Sequence, residues 1–290
     1  MISIVVISKD EPGLDATLTD VVAHTAGSPA LCEVIVVDAS DGRLGWIRRA
    51  HPDVRWIDFT TPAAVRVSIP HQRNAGVAAA NGDIIVFTDA GCRPCEDWLE
   101  QLVAPILARD ETITAGIAVS TNGRSPYDPL AKRIGATDYL SECATLNIAF
   151  RRPAFDAIGG FDEQFEYGSD IDFSWRLVGA GFRIRCIPNA VVAHDWGTPM
   201  RQLRRAYHYG RARARLYRAH PHRLPWVLRD DPVMVAYPLF LLGLPLAIRY
   251  RWYPALLLVP AWRSRTDSPV AVIVDHLAFG LGVLRELGWR

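Results

Sequence analysis

The chain has 290 residues, of which 50% are hydrophobic, 22% charged and 10% aromatic. That supports a sizeable buried core and excludes disordered, collagen-like and low-complexity chains, and the length allows one large domain or a domain with an appendage. The net charge of +1 hides an asymmetry: residues 1–200 carry 17 Lys or Arg against 26 Asp or Glu, and residues 201–290 carry 15 Arg against 5 acids.

The opening MISIVVISKDEPG has no basic leader and meets acid and proline at once, so it reads as a first strand, ISIVVIS (2–8), rather than a signal peptide. A helix with apolar Leu14, Leu18, Val21 and Val22 follows, then strands EVIVVDASDG (33–42) and VRWIDF (54–59), a helix near 70–80, and strand GDIIVFTDAG (82–91). Continuous apolar strands alternating with helices predict an α/β fold with a mainly parallel sheet covered on both faces. Asp10 and Glu11, Asp38 and Asp89 gather where strands end, and ligands of open α/β sheets bind outside those ends. The next stretch is mixed. TITAGIAVS and TLNIAFRR read as strands, a helix starts at Pro153 and stops at Gly159-Gly160, and SDIDFSWRLVGAG (169–181) has Ile171, Trp175 and Val178 at helical spacing. FRIRCI and AVVAH close the region as two strands.

The last ninety residues change character. Nine arginines and no acid occupy 196–229, and Val233 to Ile248 carries no charge. Sixteen helical residues would span about 24 Å, short of a hydrocarbon core, and Pro238 and Pro245 would kink them. This predicts a helical extension with an interfacial or re-entrant hairpin, attracted to anionic lipid through its arginines, with Trp226, Tyr237, Trp252, Tyr253 and Trp262 at the membrane edge. The alternative is an ordinary hydrophobic hairpin packed on the rest of the chain.

Several residues have the chemistry of a site. A strand-end carboxylate such as Asp38 can accept hydrogen bonds from a base or ribose, or serve as a turn aspartate. A divalent cation takes one or two carboxylates plus substrate phosphates, which suits Asp89. Arg73, in PHQRNAG before that strand, suits a pyrophosphate or a solvated helix face. Asp170 and Asp172, two apart on a helix, point in different directions, and Asp172 is spaced for an ion pair with Arg176. His194 ends the last strand as a metal ligand, a base or a structural residue. Cys92 and Cys95 form a lone CxxC without further zinc ligands at suitable spacing, and five sparse cysteines suit a reducing compartment. The first strand lacks the GxGxxG of a dinucleotide site, and the acidic first part argues against a nucleic-acid partner.

SIVVISKDEPG, VIVVDASDG, HQRNAGVAAANGDIIVFTDAG and LNIAFRRPAFDAIGGFDE followed by GSDIDFSWRLVGAGFRI and VVAH, in that order, resemble family 2 glycosyltransferases over about residues 1–215. The resemblance implies a GT-A fold, with a catalytic domain over 1–200, its nucleotide-sugar half at about 1–110 and acceptor half at about 111–200, and a helical region over 201–290. It implies inverting transfer from a nucleotide sugar to an acceptor hydroxyl, lipid-linked or on a small molecule. It assigns Glu11 and Asp38 to base and ribose, Arg73 to the pyrophosphate, Asp89 to Mg2+ or Mn2+, His194 to the metal shell and Asp170 to the catalytic base. The chain departs from the pattern at Gly91, where a second carboxylate is usual, and at Ser169, where a glutamate usually precedes the base. An inactive nucleotide- or sugar-binding homologue attached to a membrane glycosylation system is the alternative. The expected location is cytoplasmic, peripheral or monotopic at the inner face of the cell membrane.

Overall fold

Strand β1 (Ile2–Ser8) is buried along its whole length, as its unbroken apolar run predicts for a central strand. Parallel β2 (Cys32–Asp38) and β4 (Ile84–Asp89) flank it, and β3 (Arg55–Asp58) extends the sheet beyond β2. Helices α1 (Leu14–Ala26), α2 (Gly45–Ala50) and α3 (Ile69–Ala79) make the connections. The computed structural model describes residues 1–121, 139–257 and 269–288.

After β4 come a short strand β5 (Cys92–Pro94), helix α4 (Trp98–Leu107), β6 (Ile113–Ser120), β7 (Tyr139–Leu140), β8 (Asn147–Arg151), α5 (Arg152–Ala157), α6 (Ser169–Gly179) and β9 (Ile184–His194). The sheet runs β3-β2-β1-β4-β8-β6-β9-β5, with β7 pairing β9. It is mixed rather than mainly parallel, because β8 runs antiparallel to both β4 and β6. Several elements separate β4 from β8, so no single crossover helix forces them parallel. Direction is not written in a buried apolar run, which looks the same either way.

The two strands expected at FRIRCI and AVVAH are one strand, β9. Its partner β6 absorbs the irregularity, with a register shift between Ala115 and Ile117. Gly116 lies in that shift, where a Cβ would run into the Ala190 carbonyl and the Asn147 amide.

Five phenylalanines form the part of the core that supports the site. Phe161 stacks on Phe173 at 4.2 Å between centroids, and Phe150 stacks on Phe155 and contacts Phe87, both at 5.8 Å. Burying each such ring is worth about 1.5–3 kcal/mol. The cluster fixes α6 and the turn at Phe161 against β4 and β8. Asn74 adds a polar clamp: its Nδ2 donates to the Phe161 carbonyl at 3.0 Å and its Oδ1 accepts from the Phe161 N–H at 2.9 Å. Gly160 makes that approach possible, having φ +76° and space for no Cβ beside Asn74 and Phe155.

The chain divides into two units, Met1–Asp195, described above, and Trp196–Arg290. The second is helical: α7 (Pro199–Ala219), α8 (Val227–Asp230), α9 (Val233–Leu242), α10 (Leu246–Arg249) and α11 (Pro269–Glu286), with 3-10 turns at Pro221–Trp226 and Tyr253–Leu257. Thr198 caps α7 by accepting from the Arg201 N–H at 3.3 Å. Glycines let α7 and α11 approach closely, since a Cβ at Gly210 would meet the Phe279 carbonyl and one at Gly282 the Tyr207 carbonyl.

The arginines here are less free than their run in the sequence suggests. Arg211 and Arg215 reach Glu286 at 3.1 and 2.8 Å, and Arg218 approaches it at 3.8 Å. Arg213 pairs with Asp231 at 2.9 Å, and Arg229 with Asp230 at 2.7 Å. Acids that follow the basic run in sequence fold back onto it. No described helix is long and apolar enough to cross a membrane. Of the aromatic residues expected at a membrane edge, Tyr237 is instead buried, packed edge-on against His276 at 4.9 Å, and Trp262 lies outside the described residues.

Candidate active site

The parallel register brings the strand-end carboxylates together. Ser8 at the end of β1 pairs with Asp38, and the adjacent Ile7 pairs with Asp89. Asp38 and Asp89 therefore flank the end of β1, two strand spacings or roughly 10 Å apart. The chain order reverses here, as it does at the ligand crevice of open α/β sheets.

Asp38 is buried, and Ser40 Oγ donates to its Oδ1 at 2.5 Å. The same hydroxyl accepts from the Asp10 N–H at 2.7 Å, which ties the loop after β1 to the end of β2. Burial raises the Asp38 pKa against the opposing hydrogen bonds from Ser40. Asp10 has φ 55° and is held by a two-pronged ion pair with Arg43 at 2.6 and 3.1 Å. Glu11 folds over the start of α1, where its Oε1 accepts from the Gly13 N–H at 3.0 Å.

Gly91 stands where the resemblance leads one to expect a second carboxylate. Its φ is +88°, a region that side chains enter at a cost, and its N–H donates to Thr17 Oγ1 at 3.0 Å. A Cβ there would approach the Glu11 side chain at 3.7 Å. The turn after Asp89 is thus packed against the loop carrying Glu11, and its backbone favours glycine.

Arg73 pairs with Asp89, and its charge also reaches Asp170. The guanidinium is buried, with Nη2 donating to Asp89 Oδ1 at 3.2 Å and lying 3.4 Å from Oδ2. It also stands over the Phe161 ring at 5.5 Å, while its Nε is buried without a hydrogen-bond partner. Asp170 is a partly buried residue in the first turn of α6, and its Oδ1 accepts from the Ile171 N–H at 3.0 Å. Burial raises its pKa, the Arg73 charge opposes this, and the nearby Glu142 carboxylate adds to the rise.

Asp172 is placed differently. It is buried, and Arg176 Nε donates to its Oδ2 at 2.7 Å while Arg176 Nη1 donates to the Ile158 carbonyl at 2.7 Å. The i, i+4 pair expected from the sequence is present. His194 sits opposite Cys92 in the β5–β9 ladder, its Nδ1 3.7 Å from Cys92 Sγ, and Cys92 follows Asp89 by three residues along the chain. Burial pushes the Cys92 thiol up to about 12, and the Asp89 charge adds to this, so it is a neutral packing residue. Cys92 and Cys95 are both free.

Among the described residues no group of three or more His, Cys, Asp and Glu could hold a metal by itself. Asp89 offers a hard oxygen and His194 a nitrogen, a set compatible with Mg2+ or Mn2+ when substrate phosphates complete it. Two contributors escaped the sequence reading. Ser40 stands two residues after Asp38, where a local hydrogen bond is a readable signal. Glu142 acts on Asp170 from 28 residues away and also accepts from Trp175 Nε1 at 3.1 Å, which no local pattern announces.

A glycosyl transferase family 2 model matches residues 3–161, most of the unit containing these residues. The chain belongs to glycosyl transferase family 2. It is 31% identical over 188 residues to the pre-mycofactocin glycosyltransferase of Mycobacterium tuberculosis, covering 59% of this chain and 39% of that protein. The chain thus spans about two fifths of that relative's length. It is 26% identical to the succinoglycan biosynthesis protein ExoA of Rhizobium meliloti, over 90% of this chain and 87% of that one. The fold is GT-A-like: the solved mannosyltransferase PcManGT from Pyrobaculum calidifontis, in complex with GDP-Man and Mn2+, superposes with a TM-score of 0.70, covering 99% of this chain and 87% of that one at 19% identity.

Proposed function

We propose that the protein transfers a sugar from a nucleoside-diphosphate donor to an acceptor hydroxyl with inversion. One observation carries this reading: a buried arginine touches the strand-end Asp89 and is electrostatically coupled to Asp170 on the facing helix. The donor diphosphate and the acceptor hydroxyl would meet across that guanidinium.

Asp38 and Glu11 bind the base and ribose. Arg73 takes the diphosphate and stabilises the charge that develops on it. Asp89 and His194 would hold Mg2+ or Mn2+ together with diphosphate oxygens, and the ion would supply Lewis-acid stabilisation of the leaving group. Asp170 accepts the acceptor hydroxyl proton as that oxygen bonds to the anomeric carbon. The bond from that carbon to the diphosphate breaks with its electron pair leaving on the diphosphate, so atoms and charge balance without a covalent enzyme intermediate. Burial makes Asp170 a stronger base than an ordinary carboxylate. Diphosphate on Arg73 would offset the cation that holds its basicity down.

The acceptor is a hydroxyl compound, lipid-linked or small, and the protein works peripherally at the cytoplasmic face of the cell membrane. Residues 1–200 form the catalytic domain, with a donor half over about 1–110 and an acceptor half over about 111–200. A second reading, a nucleotide-binding homologue without turnover, is favoured by Gly91 and Ser169. A mass-spectrometric screen of UDP-, GDP- and dTDP-sugars separates the two: hydrolysis or transfer of one donor supports the enzyme, and nucleotide binding without turnover of any supports the second reading.

A further inference from the structure

The second unit presents an apolar surface of unusual continuity. Within α9 only Tyr237 and Pro238 are buried, while Leu239 and Leu242 are exposed. Leu244, Leu246, Ile248, Tyr250, Trp252 and Leu256 follow, all exposed, with Ile248 at 90% and Trp252 at 86%. Isolated exposed leucines are ordinary in a soluble protein, but a consecutive series marks a contact surface.

The surface is held in shape rather than hanging loose. Phe240 and Tyr253 stack at 5.2 Å, and Tyr253 Oη donates to the Phe240 carbonyl at 2.9 Å. This closes a hairpin whose tip spans residues 244 to 252. Its base is anchored through Tyr237 on His276, and a Cβ at Gly280 of α11 would come within 3.0 Å of Tyr237 Cβ.

The charges at the tip select the occupant. Arg249 and Arg251 lie among the exposed apolar residues, and no acid occurs between Asp231 and Asp267. Arg249 stands over the Tyr250 ring at 5.6 Å. Two cations, a tyrosine and a tryptophan beside leucine and isoleucine suit the boundary between phosphate headgroups and acyl chains. A helix of ten residues spans about 15 Å, too short to cross.

We propose that the hairpin tip, with Ile248 and Trp252 at its point, inserts shallowly into the lipid interface and docks the protein on a membrane surface. This rests on the peripheral location proposed above and defines its mechanism. The driving force is apolar burial. Four of the seven arginines of α7, Arg211, Arg213, Arg215 and Arg218, contribute little because they are engaged by Glu286 and Asp231. Arg249 and Arg251 add a preference for anionic headgroups.

The test is flotation of the full chain with vesicles of phosphatidylcholine, alone or with phosphatidylglycerol, at low and high salt. The proposal expects flotation on both, stronger with phosphatidylglycerol at low salt, and retained at high salt. Ile248→Asp and Trp252→Asp should each weaken binding at least about tenfold, the scale of losing one buried large side chain. Donor hydrolysis in vesicle-free solution should be unchanged in both variants, which separates failure of docking from failure of the transferase reading. Trp252→Phe should keep binding. Wild-type protein that ignores both vesicles, or binding that vanishes at high salt and is indifferent to the tip substitutions, overturns the proposal. So does a wild-type dimer that either Asp variant converts to monomer without loss of flotation, which would make the tip a self-association surface.

Discussion

Replacing Asp172 by Ala and Asp170 by Asn should give opposite phenotypes, although the two carboxylates are two residues apart. Asp172 is 1% exposed and ion-paired with Arg176, whose side chain is 24% exposed and also holds the Ile158 carbonyl. Removing one partner of a buried pair costs about 3–5 kcal/mol. Arg176 retains its bond to Ile158 and some access to water, so the lower end, about 3 kcal/mol, applies to Asp172→Ala. For a unit the size of Met1–Asp195, each kcal/mol shifts the melting temperature by about 2–4 °C, giving a fall of roughly 6–12 °C. Donor turnover per folded molecule should stay within about tenfold of wild type, since Asp172 faces the core. Asp170→Asn should melt no lower than wild type and lose transfer by about 100-fold or more, the scale of a general base. Thermal unfolding followed by fluorescence, alongside transfer measured on the folded fraction, reads both effects. An Asp172→Ala protein that melts like wild type but does not turn over, beside an active Asp170→Asn protein, would refute the assignment.

The raised pKa of Asp170 gives a pH signature. Its folded state holds the proton to higher pH than the unfolded chain, so it lowers stability as pH rises from the ordinary carboxylate value through the raised one. Asp170→Asn should therefore match wild type at acid pH and exceed it in melting temperature above that window. Glu286 behaves in the opposite sense: the hydrogen bond from Arg215, with help from Arg211, lowers its pKa, so its stabilisation is present above about pH 4.3 and is lost as pH falls through the lowered value. Glu286→Gln should destabilise the second unit at neutral pH and narrow its difference from wild type in acid, as thermal unfolding against pH will show. Mn2+ titrated by calorimetry should bind weakly to the free protein, where Arg73 engages Asp89, and more tightly once a nucleoside diphosphate is present; Asp89→Ala should abolish that gain. Gly91→Asp should lower stability by about 1–2 kcal/mol in denaturant unfolding, because an L side chain must enter a backbone with φ +88°.

Sequence alone determined what depends on neighbours along the chain. ISIVVIS, EVIVVDA and GDIIVFTD announce buried strands by unbroken β-branched runs, and the strand ends place Asp38 and Asp89 on one edge once the strands are parallel. The Asp172–Arg176 pair follows from helical spacing, and ordered motifs over about two thirds of the chain carried the family. Strand direction was not legible, since a buried strand looks alike whichever way its partner runs, and β8 proved antiparallel to its neighbours. Nor could sequence show that Arg73 reaches Asp89 or that Glu142 raises the Asp170 pKa, because those contacts join segments brought together only by the sheet and the phenylalanine core. The same distinction separates the two charge patterns of the second unit. A run of arginines is visible in sequence as net charge, but whether that charge remains available depends on where later acids land, and folding brings Asp231 and Glu286 back onto α7 while leaving the hairpin tip bare.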